Sequence, residues 1–179
     1  MKGVTMSWHG LLEREIETAY KVTVGLMDLV DDDKLEWKPE TGDNWMTTGQ
    51  LLKHLTDGCG MAFKGFVSGD WGIPEGVDMS EMKPEDMIPP AEKLPTLESV
   101  AEAKELLAKD KRTAKEMLGR CTDEELSTEP APAPWDESKM ILGHRLLQMV
   151  DHLKIHTAQL FYYLKLQGKP VNTHHLWGG

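Results

Sequence analysis

Apolar residues recur every three to four positions over four long segments, which is the spacing of amphipathic helices. The predicted helices cover residues 7–29, 47–69, 96–118 and 136–167 or 138–167. Thr47 and Gln50 have the spacing of a capping box at the start of the second helix, and Gly168 followed by Pro170 is a strong signal for the end of the fourth. No segment shows the alternating pattern of a strand. The pattern therefore predicts an all-α fold.

The segment 70–95, between the second and third predicted helices, is rich in proline, glycine, methionine and acidic residues. Connections longer than ~12–15 residues are uncommon in compact domains. At ~3.3 Å per extended residue, this segment is long enough to return along the whole second helix. The sequence therefore predicts a four-helix bundle with a long crossover between helices two and three. A chain of 179 residues is most simply one domain, residues 1–179.

The charge balance argues against several classes of partner. A formal net charge of −10 without a basic stripe argues against nucleic acid and against an anionic membrane surface. No uninterrupted apolar run approaches the ~20 residues that a membrane span needs. The N-terminal residues are too few and too polar for a signal peptide, and two cysteines are not a disulfide framework. We therefore expect a cytoplasmic protein that acts on a small-molecule substrate.

The fourth predicted helix is apolar on several faces, so it is expected at the centre of the fold. It also carries a polar stripe, in which every residue lies within about 40° of His152 at 100° per residue. The members are Gln148, His152, His156, Gln159 and Tyr163. Buried without partners, each would cost roughly 1–3 kcal/mol. A metal ion and the groups hydrogen-bonded to its ligands would satisfy them together.

Three histidines have the pattern of a catalytic metal site. His152 and His156 lie four residues apart on one helix face, and His54 lies within a leucine-rich part of the second helix. Three protein ligands leave an open position for water or substrate. Such a site suits Zn, Ni, Fe or Mn, whereas the lack of carboxylate ligands disfavours Ca and Mg. The alternative is a hydrated helix face or a hydrogen-bonded core histidine.

Nearly the whole chain resembles the DinB/YfiT-like metalloenzyme family. The segments that carry the resemblance are Trp37-x-Pro39, Trp45, Leu51-Leu52-Lys53-His54-Leu55, Asp151-His152-x-x-x-His156-x-x-Gln159-Leu160 and Gly168-x-Pro170. The resemblance implies a four-helix bundle with a crossover between helices two and three. It places the family's three metal ligands on His54, His152 and His156, with Zn or Ni as the metal. It also implies a homodimer.

The same resemblance points to thiol chemistry. Related bundles include S-transferases that use low-molecular-weight thiols such as bacillithiol or mycothiol, and a thiol-dependent isomerase. We therefore expect a metal-dependent S-transferase with a thiol co-substrate, in which Gln159 and Tyr163 are the catalytic candidates beside the metal. Two alternatives stay open, a metal-dependent hydrolase and a non-catalytic metal-binding protein that acts in stress responses.

Four other residues have a functional and a structural interpretation. Asp57, one turn after His54, either orients that ring or is a surface acid. His144 is expected at the surface or behind the metal ligands. Cys59 is expected to be a small buried hydrophobe, and Cys121 has no neighbour that would activate it as a nucleophile.

Two segments outside the predicted helices carry less definite candidates. His174 and His175 belong either to a flexible tail or to a tail that folds over the metal pocket. Met79, Met82 and Met87 in the long connection either form an adaptable lid or pack that connection against the bundle.

Overall fold

The computed structural model describes residues 7–73, 89–136 and 138–178. Within these ranges the chain forms α-helices and short 3₁₀ turns but no strand, which confirms the all-α prediction. The helices are α1 Trp8–Met27, α2 Thr48–Leu55, α3 Gly60–Ser68, α4 Val100–Leu118, α5 Asp123–Thr128 and α6 Leu142–Leu166. None of the helices in the described part of the chain has both the length and the apolar character to cross a bilayer.

Helix α1 packs against both α4 and α6. Glu17 accepts a hydrogen bond from Lys111 at 2.6 Å and Asp28 pairs with Lys104, so α1 and α4 run antiparallel. The buried hydroxyls of Thr23 and Thr157 meet at 2.7 Å between α1 and α6. Ser7 begins α1 by accepting a hydrogen bond from the backbone of Gly10, as expected for a helix that starts there.

Helices α2 and α3 together form the remaining arm and pack against α4 and α6. The backbone of Gly49 lies beside that of Leu97, and the amide of Gly60 donates to Asp110 at 2.9 Å. Residue numbers therefore increase in the same direction along the α2–α3 arm and along α4, so these two arms are parallel. This confirms the predicted crossover. Residues 74–88 of the connection, with Met79, Met82 and Met87, lie outside the described residues.

The apolar side chains form one buried cluster between the four arms of the bundle. Burying each large aliphatic side chain contributes about 1.5–3 kcal/mol. Members with no solvent exposure are Leu12, Ile16, Leu26, Leu51, Leu52, Phe63, Leu107, Leu146, Val150, Leu160 and Leu164. Gly168, at a φ of +81°, ends α6 where the sequence predicts, because its left-handed conformation favours glycine.

The second predicted helix is not continuous. The capping box of Thr47 and Gln50 is confirmed, but α2 ends at Leu55 and α3 begins at Gly60. Asp110 of α4 stabilises this break, because its carboxylate accepts hydrogen bonds from the amides of Gly60 at 2.9 Å and Met61 at 3.1 Å. These amides would otherwise be unpaired at the start of α3.

Asp110 is a buried acid, only 4% exposed. Burial raises its pKa to about 6, whereas the Tyr20 hydroxyl, which donates at 2.6 Å, and the two amides oppose that rise. Cys59 is buried beside this group, as expected. Burial raises the pKa of its thiol, so Cys59 behaves as a small hydrophobe and not as a nucleophile. Burial also raises the pKa of the half-buried Cys121, which agrees with the expectation that it is not activated.

Two predicted helix starts are corrected by the structure. Helix α4 begins at Val100 with Ser99 as its cap, later than residue 96, and α6 begins at Leu142, later than residue 136 or 138. Residues 129–136 and 138–141 are instead held against α6 by backbone hydrogen bonds and by Arg145. Helix α5 was not expected, because six residues are too few to show a helical period.

Arg145 holds the segment before α6 in place. Its side chain has no solvent exposure. It donates to Asp136 at 2.7 Å, to the carbonyls of Ala131 and Ser138 at 3.0 Å each, to the Ser138 hydroxyl at 2.9 Å and to the side chain of Gln148 at 3.0 Å. Every donor direction of the guanidinium group is thus used inside the protein, as a buried charge requires.

We expect Arg145→Met to lower the free energy of unfolding by about 1–3 kcal/mol, because the buried carbonyl of Ala131 loses its donor. Urea denaturation of purified variants measures this difference. The control is Arg120→Met, which removes an exposed arginine paired with Glu116 one turn away and should leave stability close to wild type. Equal stability of the two variants would contradict the anchoring role of Arg145.

Candidate metal centre

The three predicted histidines meet where α2 lies antiparallel to α6. The Tyr163 hydroxyl near the end of α6 donates to the carbonyl of Met46, which precedes α2, and Gln167 reaches Thr48. This register places His54, in the last turn of α2, opposite the middle of α6. Two ligands four residues apart on one helix therefore face a third ligand from the neighbouring helix.

The imidazole rings are close enough to bind one ion together. The Nε2 atoms of His54 and His152 are 3.2 Å apart, and one ring nitrogen from each histidine lies within 4.8 Å of the others. The His156 ring is centred 4.3 Å from that of His54 and 4.7 Å from that of His152. Two nitrogens at ~2.0–2.1 Å from a tetrahedral Zn²⁺ would be about 3.3 Å apart. The geometry thus fits a metal site with three histidine ligands.

Burial keeps two of the histidines in the form that binds metals. It lowers the pKa of His54 to about 4, and the neighbouring His156 and His152 lower it further. Burial, followed by the effect of His156, also lowers the pKa of His152. Both rings are therefore neutral at pH 7. A neutral imidazole has a free lone pair, so an ion would not have to displace a proton from either of them.

A hydrogen-bond chain orients the third ring. Nδ1 of His156 lies 2.9 Å from the side-chain oxygen of Gln159, and since that oxygen only accepts, Nδ1 carries the proton. Gln159 donates in turn to the Tyr163 hydroxyl at 3.2 Å, which donates to the carbonyl of Met46 at 2.9 Å. This chain leaves Nε2 of His156 as the ligand nitrogen, as is common for metal-bound histidines.

Gln159 and Tyr163, the catalytic candidates, are thus both engaged in orienting His156. Tyr163 is 1% exposed and packs edge-on against Trp37 and Trp45, with ring centres 5.2 and 6.2 Å away. The side chains of Gln159 and Tyr163 already form hydrogen bonds inside the protein. The prediction that they contact a substrate stays a prediction.

The remaining polar candidates have structural partners or are exposed. Asp57 is exposed and pairs with Lys53, which agrees with its interpretation as a surface acid. Gln148, a member of the predicted polar stripe, accepts from Arg145. His144 lies exposed on the first turn of α6.

The C-terminal residues form a 3₁₀ turn, Thr173–Trp177, that packs against α1. Within it, Nδ1 of His175 lies 3.1 Å from the amide of Asn172. Helix α1 lies diagonally across the bundle from α2. The expected alternatives, a flexible tail and a cover over the metal pocket, are therefore both replaced by an ordered turn on another face of the protein.

Sequence reasoning missed three residues near the site: Arg145, Asp110 and Gly58. Arg145 lies about 20° from His152 at 100° per residue, so helix geometry alone could have added it to the polar stripe. Asp110 meets the start of α3 only through the packing of α4 on α3, for which the sequence holds no local signal. Gly58 lies against the His152 ring, which likewise depends on tertiary packing.

Comparison with known proteins agrees with this geometry. A family model described as the DinB superfamily matches residues 15–160, a range that includes all three histidines. The chain belongs to the DinB superfamily. Comparisons with curated proteins and with solved structures gave no significant match. The support for a metal site comes from the cluster of three histidines within the matched range.

We expect alanine at His54, His152 or His156 to weaken Zn²⁺ binding by more than ~100-fold. Changing a residue that is only hydrogen-bonded to a metal ligand typically weakens binding by ~10–100-fold. Each variant loses one of three nitrogens that converge on the ion. Competition with a chromophoric chelator measures the dissociation constants. His144→Ala, which removes an exposed histidine of the same helix, is the matched control and should bind as wild type does. Tight binding by all three variants would exclude this site.

The low pKa of His54 predicts how acid affects the metal-free protein. Between the ordinary pKa of 6.5 and the folded value of about 4, the unfolded chain holds more protons on this residue than the folded chain does. Acidification through this window therefore favours unfolding. The stability of wild type minus that of His54→Gln should be constant above about pH 6.5 and fall towards about pH 4. Urea denaturation across this range tests it, and parallel pH profiles would contradict it.

Proposed function

We propose that this member of the DinB superfamily is a divalent-metal-dependent S-transferase, which joins a low-molecular-weight thiol to an electrophilic small molecule. One observation carries the metal-dependent part, namely the convergence of three imidazoles with two Nε2 atoms 3.2 Å apart. The histidines are half-buried and not sealed in the core. An ion held there keeps a position that a substrate can reach, which is typical of catalytic and not of structural sites.

The donor set of three imidazoles and no carboxylate supports Zn or Ni, with Fe or Mn as further candidates. Such an ion would supply one piece of chemistry, a lower pKa for a bound thiol or water near neutral pH. His54, His152 and His156 would hold it, and Gln159 would keep His156 in the tautomer that presents Nε2. No carboxylate is needed to deprotonate His54 and His152, because their lowered pKa values already keep both rings in the neutral, binding form.

In the proposed reaction, the thiol sulfur attacks an electrophilic carbon of the second substrate. The sulfur–carbon bond forms as the bond between that carbon and its leaving group breaks. The leaving group departs with the bonding electron pair, and the thiol proton passes to water. The bundle contributes by holding the reacting groups close together in a half-buried site, which lowers the entropic cost of their encounter.

An open apolar groove on the surface of α6 supports an electrophile with an apolar body. It encloses about 430 Å³, and its walls include the exposed side chains of Trp45, Ile155, Tyr162 and Leu166. Gln159 lines the same groove and contacts Nδ1 of His156, not the ligand nitrogen Nε2. An aromatic or aliphatic group in this groove would therefore lie behind His156, next to the residue that orients it.

A second candidate function is a non-catalytic metal-binding role. The observation in its favour is that Gln159 and Tyr163 direct their hydrogen bonds to each other, to His156 and to a backbone carbonyl. Neither is therefore poised as a free acid or base. An S-transferase tolerates this, because a deprotonated thiol is itself the nucleophile. Hydrolases more commonly require a group that transfers a proton to the leaving group. We therefore rank a hydrolase below the S-transferase.

The proposal is tested by adding Zn²⁺, Ni²⁺ or Mn²⁺ to metal-free protein. Each form is incubated with a thiol, bacillithiol or mycothiol, and with chlorodinitrobenzene as an aromatic electrophile. We expect the thioether to form faster than without protein, with at least one metal. His156→Ala should lose this activity and His144→Ala should keep it. Mass spectrometry identifies the product.

Two other outcomes would overturn the proposal. Release of the leaving group at the same rate without any thiol would indicate a hydrolase. Tight metal binding without turnover for any pair of metal and thiol would indicate the non-catalytic role.

A further inference from the structure

The turn between α2 and α3 lies directly against the metal centre. A Cβ atom at Gly58 would be 2.9 Å from Nδ1 and 3.0 Å from Cε1 of His152, and 3.3 Å from the carbonyl oxygen of His54. Nδ1 of His152 is buried at this contact and makes no hydrogen bond of good geometry. The backbone of Gly58 thus lies against the Nδ1–Cε1 edge of the ring, whereas Nε2 faces His54.

Only glycine fits this position without moving the ring. Distances below 3.0 Å between a Cβ and another heavy atom are essentially never found, so any side chain would push His152 away from the turn. Such a shift would change the separation of 3.2 Å between its Nε2 and that of His54. Metal sites are sensitive to displacements of this kind, because the ligands must match a preferred distance and angle.

The position of the turn depends on a residue of α4. Cys59, which precedes α3, provides no side-chain cap. Asp110 replaces that cap by accepting from the amides of Gly60 and Met61. A Cβ at Gly60 would lie 2.1 Å from the backbone oxygen of Asp110, so the start of α3 and the middle of α4 are in close contact. Asp110 therefore determines where α3 begins and, through it, where Gly58 lies.

We propose that Gly58 and Asp110 are positioning residues of the metal centre. Asp110 fixes the start of α3, and the backbone of Gly58 then holds the His152 ring in the orientation that directs Nε2 towards His54. Neither residue binds the ion. This inference rests on the metal site of the proposed function and adds to it two residues that act through the break in the second arm of the bundle.

The first test is Gly58→Ala. We expect Zn²⁺ affinity to fall about tenfold or more, the range seen when residues behind metal ligands are changed. Competition with a chromophoric chelator measures it, and the visible absorption bands of bound Co²⁺ report whether the coordination geometry has changed. The matched control is Gly25→Ala in α1, where a Cβ meets no atom within 4 Å. The control should keep both the affinity and the Co²⁺ spectrum of wild type.

The second test is Asp110→Asn, compared with Tyr20→Phe. Asparagine retains one acceptor oxygen, so the two amides of α3 can no longer both be paired with side-chain oxygens. We expect weaker Zn²⁺ binding at a temperature where circular dichroism shows the variant to be folded. Tyr20→Phe removes the third donor to the same carboxylate and leaves the start of α3 paired. It should lower stability without weakening the binding of Zn²⁺.

A measurement on the metal-free protein separates this inference from the proposed function. In histidine-selective NMR spectra, Gly58→Ala should shift the ring resonances of His152, and Gly25→Ala should not. Failure of the wild-type chain to bind any of the metals would overturn the proposed function. If the wild-type chain does bind Zn²⁺, an equal affinity of Gly58→Ala would overturn the positioning role. Unchanged His152 resonances in Gly58→Ala would overturn it as well.

Discussion

Helix α6 brings a line of polar groups into the largely apolar interior of the bundle, and each of these groups needs a partner there. Arg145 finds Asp136, Gln148 and two carbonyls. At the other end, Tyr163 finds the carbonyl of Met46. Between them, His152 and His156 turn their rings towards His54. A bound ion would satisfy their three nitrogens at once, so the same requirement that organises the ends of α6 points to a metal at its centre.

This requirement explains why the bundle needs a crossover. His54 reaches the middle of α6 because α2 runs antiparallel to it, with Thr48 beside Gln167. Helix α4 runs parallel to α2 and α3, so Asp110 can reach the start of α3. The break between α2 and α3 then gives Gly58 room against His152. The long connection from α3 to α4 is thus linked to the site through the arrangement of the helices that it joins.

The parts of this structure that depend on local sequence could be predicted. Spacing alone identified the capping box of Thr47 and Gln50 and the pair His152 and His156, because both are set by helix geometry. His54 was added from its place in the leucine-rich part of the second helix, and the resemblance to a known family supported that choice. The break after Leu55 could not be predicted, since it depends on a carboxylate fifty residues away. The acceptor of the Tyr163 hydroxyl was missed for the same reason, because the carbonyl of Met46 approaches it only in the folded bundle.

The central claim is that three imidazoles of this chain hold one ion and leave a position open. X-ray absorption spectroscopy of the protein loaded with Zn²⁺, together with the metal content per chain, tests it most directly. We expect one ion per chain with three imidazole nitrogens at ~2.0–2.1 Å and at least one further light-atom ligand from solvent. No bound ion, or an ion coordinated mainly by sulfur or carboxylate oxygen, would contradict it.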